Sequence, residues 1–368
     1  MARIGFVTTA FARGIPYVTQ TLRRAIIDLG HTAYMFVRAG MIYGQSMRES
    51  AGEWDWPNRT DYPDHAIPPL ALVQWASFHR LDGVVFVEEP QAELPMTLQK
   101  AGIKTMQQID NYLSLQQRPY LRFNDLLLCV THRAHAILQE WDKGEQTQYI
   151  GWGVPDDHFV EASTLTEARR FDFVSSQGWI GIDARKGLDT LLAALACQPV
   201  DGNPPEVLIH CQLPQEQALH VIGWDRPLPP HVIWESGDYP PPRGVYGLGR
   251  VVVQPSKMEG LGLSLIEALT NGRPVITINA APMHEWVDAN SGWLIEPDGW
   301  RPHPDGSCYQ QAVIRPETLW KTMQEAQAST DDVIHQKAQQ ALTRAQTIFH
   351  WQAFTQRLAA GLERIGIG

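Results

Sequence analysis

Cysteine is scarce, charge is sparse and long apolar runs are missing. Only four cysteines occur in 368 residues, Cys129, Cys197, Cys211 and Cys308, and they stand far apart. Such spacing offers neither a disulfide framework nor a metal knuckle. Three of the four lie in or beside apolar runs, so reduced core thiols are expected. No uncharged apolar stretch reaches about 18 residues, which excludes a membrane-crossing helix. The first residues lack the basic, apolar and small-residue layout of a secretion signal. A soluble, cytoplasmic protein is therefore expected, with peripheral membrane contact left open. Lys and Arg number 30 against 40 Asp and Glu, and the formal charge of −10 argues against a nucleic-acid partner, whose phosphates need a basic face. No Asp-x-Asp pair, internal repeat or low-complexity segment occurs. What is present is a globular composition, 44% hydrophobic and 19% charged, too apolar for disorder. The length suits two domains, each able to bury its own core.

The most informative stretch is residues 254–272, preceded by Val251, Val252 and Val253 and followed by Arg273-Pro274-Val275-Ile276-Thr277-Ile278. An apolar β-branched run, a glycine-bearing bend, a helix over about 263–269, a stop at Asn271-Gly272 and a second β-branched run make one βαβ unit. Its two strands are expected to be parallel in a covered sheet. Gly260 and Gly262 at the front of the helix let the backbone approach a ligand while the first-turn amides stay unpaired, which is an anion site. Glu259 stands in the bend before those amides and Glu267 lies further along the helix. One carboxylate can reach a group ahead of a bound phosphate and the other a group beside it. A surface helix with two incidental glutamates is the bland alternative, and the residues around the pair argue against it.

Pro255-Ser256, Glu259-Gly260-Leu261-Gly262-Leu263, Glu267-Ala268-Leu269 and Gly272-Arg273-Pro274-Val275 together resemble the E-x7-E signature of family 4 (group 1) glycosyltransferases. These are retaining, nucleotide-sugar-dependent enzymes of the GT-B fold. The resemblance implies an α/β protein with two Rossmann-like domains facing each other across a cleft and a C-terminal helix crossing back. It gives Glu259 the donor-sugar hydroxyls, the amides of Gly260, Leu261, Gly262 and Leu263 the sugar and diphosphate, and Glu267 the ribose hydroxyls. Arg185-Lys186-Gly187-Leu188 resembles the family's Lys-Gly turn, in which the lysine binds the diphosphate at a helix start. There a cation stabilises charge growing on the leaving phosphate. The family's usual arginine directly after the strand is replaced by Ser176-Gln177, and Arg185 is the residue that could substitute for it. Two solvated basic residues at a helix start are the plain alternative.

In chain order, strand 4–8, a bend carrying Gly14, helix 17–29 closed by Gly30 and strand 32–37 open a Rossmann-like half. Gly14 is the glycine this bend offers to a donor phosphate; a simple turn is the other reading. Residues 41–69 lack periodicity and contain Tyr43, Trp54, Trp56 and Tyr62, which either face a sugar ring or pin the loop to its domain. Strand 83–87 ends in Glu88-Glu89, placed for an acceptor or for a solvated rim. Strand 103–109 runs into Asp110, where the family often has a histidine. Helix-like 70–79 and 134–141 and strand 126–130 complete this half. The second half reads as strand 171–175, helix 188–196, strands 207–210 and 232–235, the motif itself, a helix at 282–287 and strand 292–295. An irregular insert at 299–312, helical 322–346 opened from Pro316, and a terminal helix bearing Phe354, Leu358 and Leu362 follow. The domains expected are 1–155 on the acceptor side, a linker 156–170, 171–348 on the donor side, and 349–368 packing back on the first.

The function implied is transfer of a sugar from a nucleoside-diphosphate donor to an acceptor hydroxyl with retention, needing no dedicated basic side chain. Two readings compete with it: a sugar-nucleotide epimerase, for which Asp110 with Glu88 or Glu89 would be the acid and base, and a non-catalytic nucleotide-sugar-binding protein. Donor base, donor sugar, acceptor and oligomeric state are not legible. No cofactor is expected. With no Asp-x-Asp pair to hold a divalent ion against a diphosphate, turnover is expected to be unchanged by a chelator, and its abolition by EDTA would overturn that expectation.

Overall fold

The structure, a computed structural model, describes residues 1–11, 14–42, 45–47, 54–87, 91–110, 118–141, 143–166, 169–179, 184–197, 204–239, 244–303, 306 and 308–368. The chain divides into two compact units, Met1–Gly153 with Trp351–Gly368, and Val154–His350.

The first unit opens with β1 (Arg3–Thr8), α1 (Gly14–Asp28) and β2 (Thr32–Arg38), then β3 (Gly40–Ile42), β4 (Gln45–Met47) and β5 (Arg59–Tyr62). It continues through α2 (Pro69–Phe78), β6 (Gly83–Val87), α3 (Glu93–Lys100), β7 (Lys104–Ile109), α4 (Arg118–Leu121), β8 (Leu126–Cys129), α5 (His132–Glu140) and β9 (Thr147–Tyr149). Seven strands pair in the order β5-β2-β1-β6-β7-β8-β9, all parallel, while β3 and β4 form a separate antiparallel pair. The spacing of Val18, Leu22, Ala25 and Ile26 does bury one face of α1. The helix stops one residue before Leu29 because Gly30 takes a positive φ of 83° and its amide turns back to Ile27. Trp54 and Trp56 are buried, and Trp54 meets Tyr17 edge-on, so these tryptophans pin their segment to the domain. Tyr62 stacks on Phe36. Tyr43 lies outside the described residues.

The second unit begins with β10 (Phe171–Ser176), α6 (Leu188–Ala196), β11 (Val207–Cys211), α7 (Gln215–Val221), β12 (Val232–Ser236) and β13 (Gly249–Gln254). Then come α8 (Leu263–Thr270), β14 (Val275–Ile278), α9 (Met283–Trp286), β15 (Gly292–Ile295), β16 (Gly299–Pro302), β17 (Gln310–Val313), α10 (Pro316–Gln327) and α11 (Asp331–Ile348). Its six-stranded sheet runs β12-β11-β10-β13-β14-β15, again all parallel. Strand order reverses between β10 and β13, and open parallel sheets bind ligands beyond the strand ends at such a point. Residues of the segment 156–170 belong to this unit: Leu165 packs with Ala338 and Leu342, and the Val160 amide donates to the Thr270 carbonyl. The last helix, α12 (Trp351–Arg364), belongs to the first unit. Phe354, Leu358 and Leu362 are buried there, and Arg357 and Arg364 donate to the carbonyls of Ile150 and Thr147.

Two expectations need correction. Residues 299–312 are no irregular insert; β16 and β17 pair antiparallel, with Trp300 opposite Ala312. Gln310-Gln311-Ala312 has no apolar alternation, which hid the strand. The helical run 322–346 is broken at Ala328, Ser329 and Thr330. Thr330 caps α11, its side chain accepting from the Val333 amide, with Asp331 and Asp332 in the first turn. Among the described residues no helix is long and apolar enough to cross a membrane. Cys129 and Cys211 are buried and free, whereas Cys197 is exposed at the end of α6. Truncating the fully buried Phe354 to Ala is expected to cost about 3–5 kcal/mol, read from the shift of a urea unfolding curve.

Candidate functional site

The site grows from two loops at the carboxyl ends of β10 and β13, each feeding a helix. After β13 the chain passes buried Pro255 and Ser256 and turns through Glu259-Gly260-Leu261-Gly262 into α8. Gly262 has a φ of 78°, a left-handed conformation that a side chain would strain, and its carbonyl receives the amides of Leu265 and Ile266. The amides of Gly260, Leu261, Gly262, Leu263 and Ser264 donate to no acceptor among the described residues, as the free end of a helix requires. Ser264 adds a buried hydroxyl with no hydrogen-bond partner among the described residues. The indole nitrogen of Trp286 donates to the Leu261 carbonyl at 2.6 Å and fixes the bend.

The other loop reaches α6 through Arg185-Lys186-Gly187. Gly187 has a φ of 77°, and a Cβ there would lie 2.1 Å from the Pro255 carbonyl oxygen, so the loops touch main chain to main chain. They are also stitched by the Lys257 amide donating to the Arg185 carbonyl at 2.7 Å, and by Lys257 Nζ to Asp189 at 2.6 Å. The Lys257 carbonyl in turn accepts from the Ala312 amide at 2.8 Å, which ties β17 into the same assembly.

This close approach puts Arg185 and Lys186 on Glu259. Lys186 Nζ donates to Oε1 at 2.7 Å and Arg185 Nη1 to Oε2 at 2.8 Å. Ser256 Oγ donates to Oε1 at 2.7 Å, itself held by Gln254 at 3.1 Å. The Glu259 side chain is 3% exposed, against 14% for Lys186 and 18% for Arg185, a depth at which ions need partners. Burial pushes the Glu259 carboxyl up, but the charges of Lys186 and Arg185 and the bonds from Lys186 and Ser256 outweigh it and bring it down to about 2. Burial lowers the Lys186 ammonium, with Glu259 working in the opposite direction. Two cations thus meet one carboxylate just ahead of the free amides.

Glu267 is reached from another side. The Tyr246 hydroxyl donates to its Oε2 at 2.8 Å. Burial raises the Glu267 carboxyl to about 7, against the opposing pull of Tyr246 and Lys186. Tyr246 itself is driven well above its ordinary range by burial and by the Glu267 charge.

Lys186, Arg185, Glu259, Gly260, Leu261, Gly262, Leu263 and Glu267 thus gather in the second unit. Gly14 opens α1 in the first unit; a Cβ there would meet nothing within 4 Å, so the local backbone makes no demand for glycine. Asp110 follows the carboxyl end of β7, partly buried. Glu88 and Glu89 lie outside the described residues. Ser176 and Gln177, which replace the family's arginine, are tied to their own sheet: Ser176 Oγ lies 3.2 Å from His210 Nδ1, and Gln177 donates to Ser175 Oγ at 2.7 Å. Sequence reasoning gave no role to Tyr246, Ser256 or Trp286. Ser256, three residues before Glu259, was the most legible of them; Tyr246 carries no local signal. Among the described residues no group of three His, Cys, Asp or Glu side chains is placed to hold a metal ion.

Residues 181–301 match the family model described as Glycosyl transferases group 1, the family whose signature the sequence resembles. No curated protein matches the chain in sequence. Among solved structures, a glycosyltransferase from Rickettsia africae is 14% identical with a TM-score of 0.72, covering 100% of this chain and 99% of its own. Sucrose-phosphate synthase from Thermosynechococcus elongatus is 16% identical with a TM-score of 0.68, covering 99% of each chain. Anabaena HepE in complex with UDP-glucose is 15% identical with a TM-score of 0.72, covering 99% of this chain and 100% of its own. The two parallel-sheet Rossmann-like units are those of the GT-B fold.

The two glutamates drive stability in opposite directions with pH. In the folded chain Glu267 keeps its proton up to about 7, whereas unfolded it releases it near 4.5, so stability falls as pH rises between these values. Glu259 is lowered from 4.5 to about 2, and its contribution is lost as pH falls through that lower window. Glu267→Gln is expected to remove the decline above 4.5 and to exceed the wild type by on the order of 2–3 kcal/mol at about pH 8. Urea midpoints at about pH 5 and pH 8 check this, and parallel pH dependence in the two proteins would contradict it.

Proposed function

We propose that this protein is a retaining glycosyltransferase that moves a sugar from a nucleoside-diphosphate donor to an acceptor hydroxyl, without a metal ion. The observation that carries the proposal is the convergence of Lys186 and Arg185 on Glu259, the residue that immediately precedes the unpaired amides of Gly260 to Ser264 in the second unit. Basic side chains next to a row of free donors suit a diphosphate, and the buried setting makes each of these charges count for more. The bond from the anomeric carbon to the diphosphate breaks while the acceptor oxygen bonds to the same face. A leaving-phosphate oxygen takes the acceptor's proton. Lys186 and the amides hold the charge that grows on the diphosphate.

Glu259 reads the sugar. A carboxylate has about four lone-pair directions, and Lys186, Ser256 and Arg185 fill three of them. A single sugar hydroxyl can take the fourth. Glu267, in its ionised form, takes the ribose hydroxyls. HepE was solved with UDP-glucose, which makes that compound the first donor to try here. Asp110 is the acceptor-side candidate among the described residues, with Glu88 and Glu89 proposed from sequence alone.

Thermal shift against uridine, guanosine, adenosine and thymidine diphosphate sugars finds the donor, and a product assay then finds the acceptor. Lys186→Ala is expected to lower kcat by about a hundredfold or more while weakening donor binding by less than about tenfold. Equal losses in both would reduce Lys186 to an anchor. A donor that binds tightly but is neither hydrolysed nor transferred would favour a binding protein, and conversion of the donor's sugar without any acceptor would favour an epimerase.

A further inference from the structure

Glu259 is held by two kinds of partner. Lys186 and Arg185 are cations, for which a bound diphosphate would compete, whereas Ser256 is neutral and is not drawn away. Ser256 Oγ donates to Glu259 Oε1 at 2.7 Å, and Gln254 Nε2 donates to Ser256 Oγ at 3.1 Å. Gln254 and Ser256 are wholly buried, and Glu259 is 2% exposed. Counting protons fixes the direction of both bonds. An ionised carboxylate can only accept, so the one hydroxyl proton of Ser256 goes to Glu259, and Gln254 must then present its amide nitrogen to Ser256 Oγ. Gln254 Oε1 is thereby turned away, and it is buried with no hydrogen-bond partner among the described residues. A methionine would fill this space without an orphaned acceptor, so stability alone does not call for glutamine here. Local rules broken in this way are expected where function demands it. The backbone beneath the pair is fixed: Gln254 ends β13 opposite Thr277, whose hydroxyl donates to the Gln254 carbonyl at 2.8 Å, and the Pro255 carbonyl lies against Gly187.

We propose that Gln254 and Ser256 are positioning residues that aim Glu259 at the donor sugar independently of the two cations. That Glu259 meets the sugar rests on the function proposed above. Its Oε1 accepts from both Lys186 Nζ and Ser256 Oγ, which fills that oxygen, while Oε2 accepts from Arg185 Nη1 and keeps one lone pair. Oε2 is therefore the atom that takes the sugar hydroxyl. When Lys186 and Arg185 turn to the diphosphate, Ser256 stays on Oε1, and the carboxylate keeps its orientation. Selection of the sugar is thus separated from grip on the diphosphate: the neutral pair governs the first and the cations the second.

Calorimetry on the full chain with UDP, which has the diphosphate but no sugar, and with UDP-glucose separates the two tasks. Ser256→Ala and, independently, Gln254→Met are expected to bind UDP within about twofold of the wild type and UDP-glucose about tenfold more weakly, the effect of misaligning one charge-assisted hydrogen bond. Equal weakening of both ligands, or unchanged affinity for UDP-glucose in both variants, overturns the proposal. Gln254→Met should also keep a urea midpoint no lower than that of the wild type; a lower midpoint would make the amide a structural group and overturn its part. A second measurement needs no ligand. Burial raises the Glu259 carboxyl, and Lys186, Arg185 and the bond from Ser256 lower it, so carboxyl-carbon NMR of Glu259, assigned by Glu259→Gln, should titrate at higher pH in Ser256→Ala than in the wild type. Identical titrations overturn the proposal. Failure of the wild type to bind UDP or UDP-glucose counts against that donor, and the carboxyl titration still decides whether Ser256 holds Glu259.

Discussion

One buried carboxylate organises the second unit. Glu259 is almost wholly buried, so its charge is affordable only because Lys186, Arg185 and Ser256 surround it. Those partners come from two loops that follow different strands, and they meet because Gly187 lets one backbone lie against the carbonyl of Pro255. The same contact sets the spacing between the cations and the free amides of Gly260 to Ser264. Charge, backbone conformation and ligand chemistry are therefore one constraint: a side chain on Gly187 would part the loops, and parted loops would strand an unpaired carboxylate.

The two glutamates of the signature sit in opposite electrostatic situations although they are eight positions apart on one segment. Glu259 is ionised throughout the ordinary pH range, and Glu267 is poised near neutrality because burial raises it and the opposing pull of Tyr246 and Lys186 offsets only part of that rise. Carboxyl groups divided in this way can perform different tasks. The first is a fixed counter-charge to Lys186 and Arg185, and the second changes protonation state near neutral pH.

Much of this was legible in the sequence. The glycines, glutamates and β-branched runs between Val251 and Ile278 specify strand, bend and helix locally, and the observed β13, α8 and β14 follow that reading within a few residues. Helix α6, too, begins at Leu188 and ends at Ala196, where the apolar spacing puts it. Illegible features were those that depend on partners far along the chain. Tyr246 is a polar residue just ahead of β13, and nothing near it says that it reaches Glu267. Strand β17, Gln-Gln-Ala-Val, lacks apolar alternation and owes its form to pairing with β16. The break before α11 was readable in Ser329-Thr330-Asp331-Asp332, a capping pattern that continuous helical composition on both sides obscures. Gly14 is a glycine whose type draws attention in the sequence, while its described surroundings would admit a side chain.

The bond from Ala312 to Lys257 and the one from Lys257 to Arg185 run between main-chain atoms. Their geometry is indifferent to what side chains stand at those positions, so related chains could drift there and keep the cation-bearing loop in register. Only proline at 257 or 312, which removes the donating N–H, or a one-residue slip of the hairpin would undo the stitch. Divergence in this corner of the protein is thus expected to be wide in residue type and narrow in length.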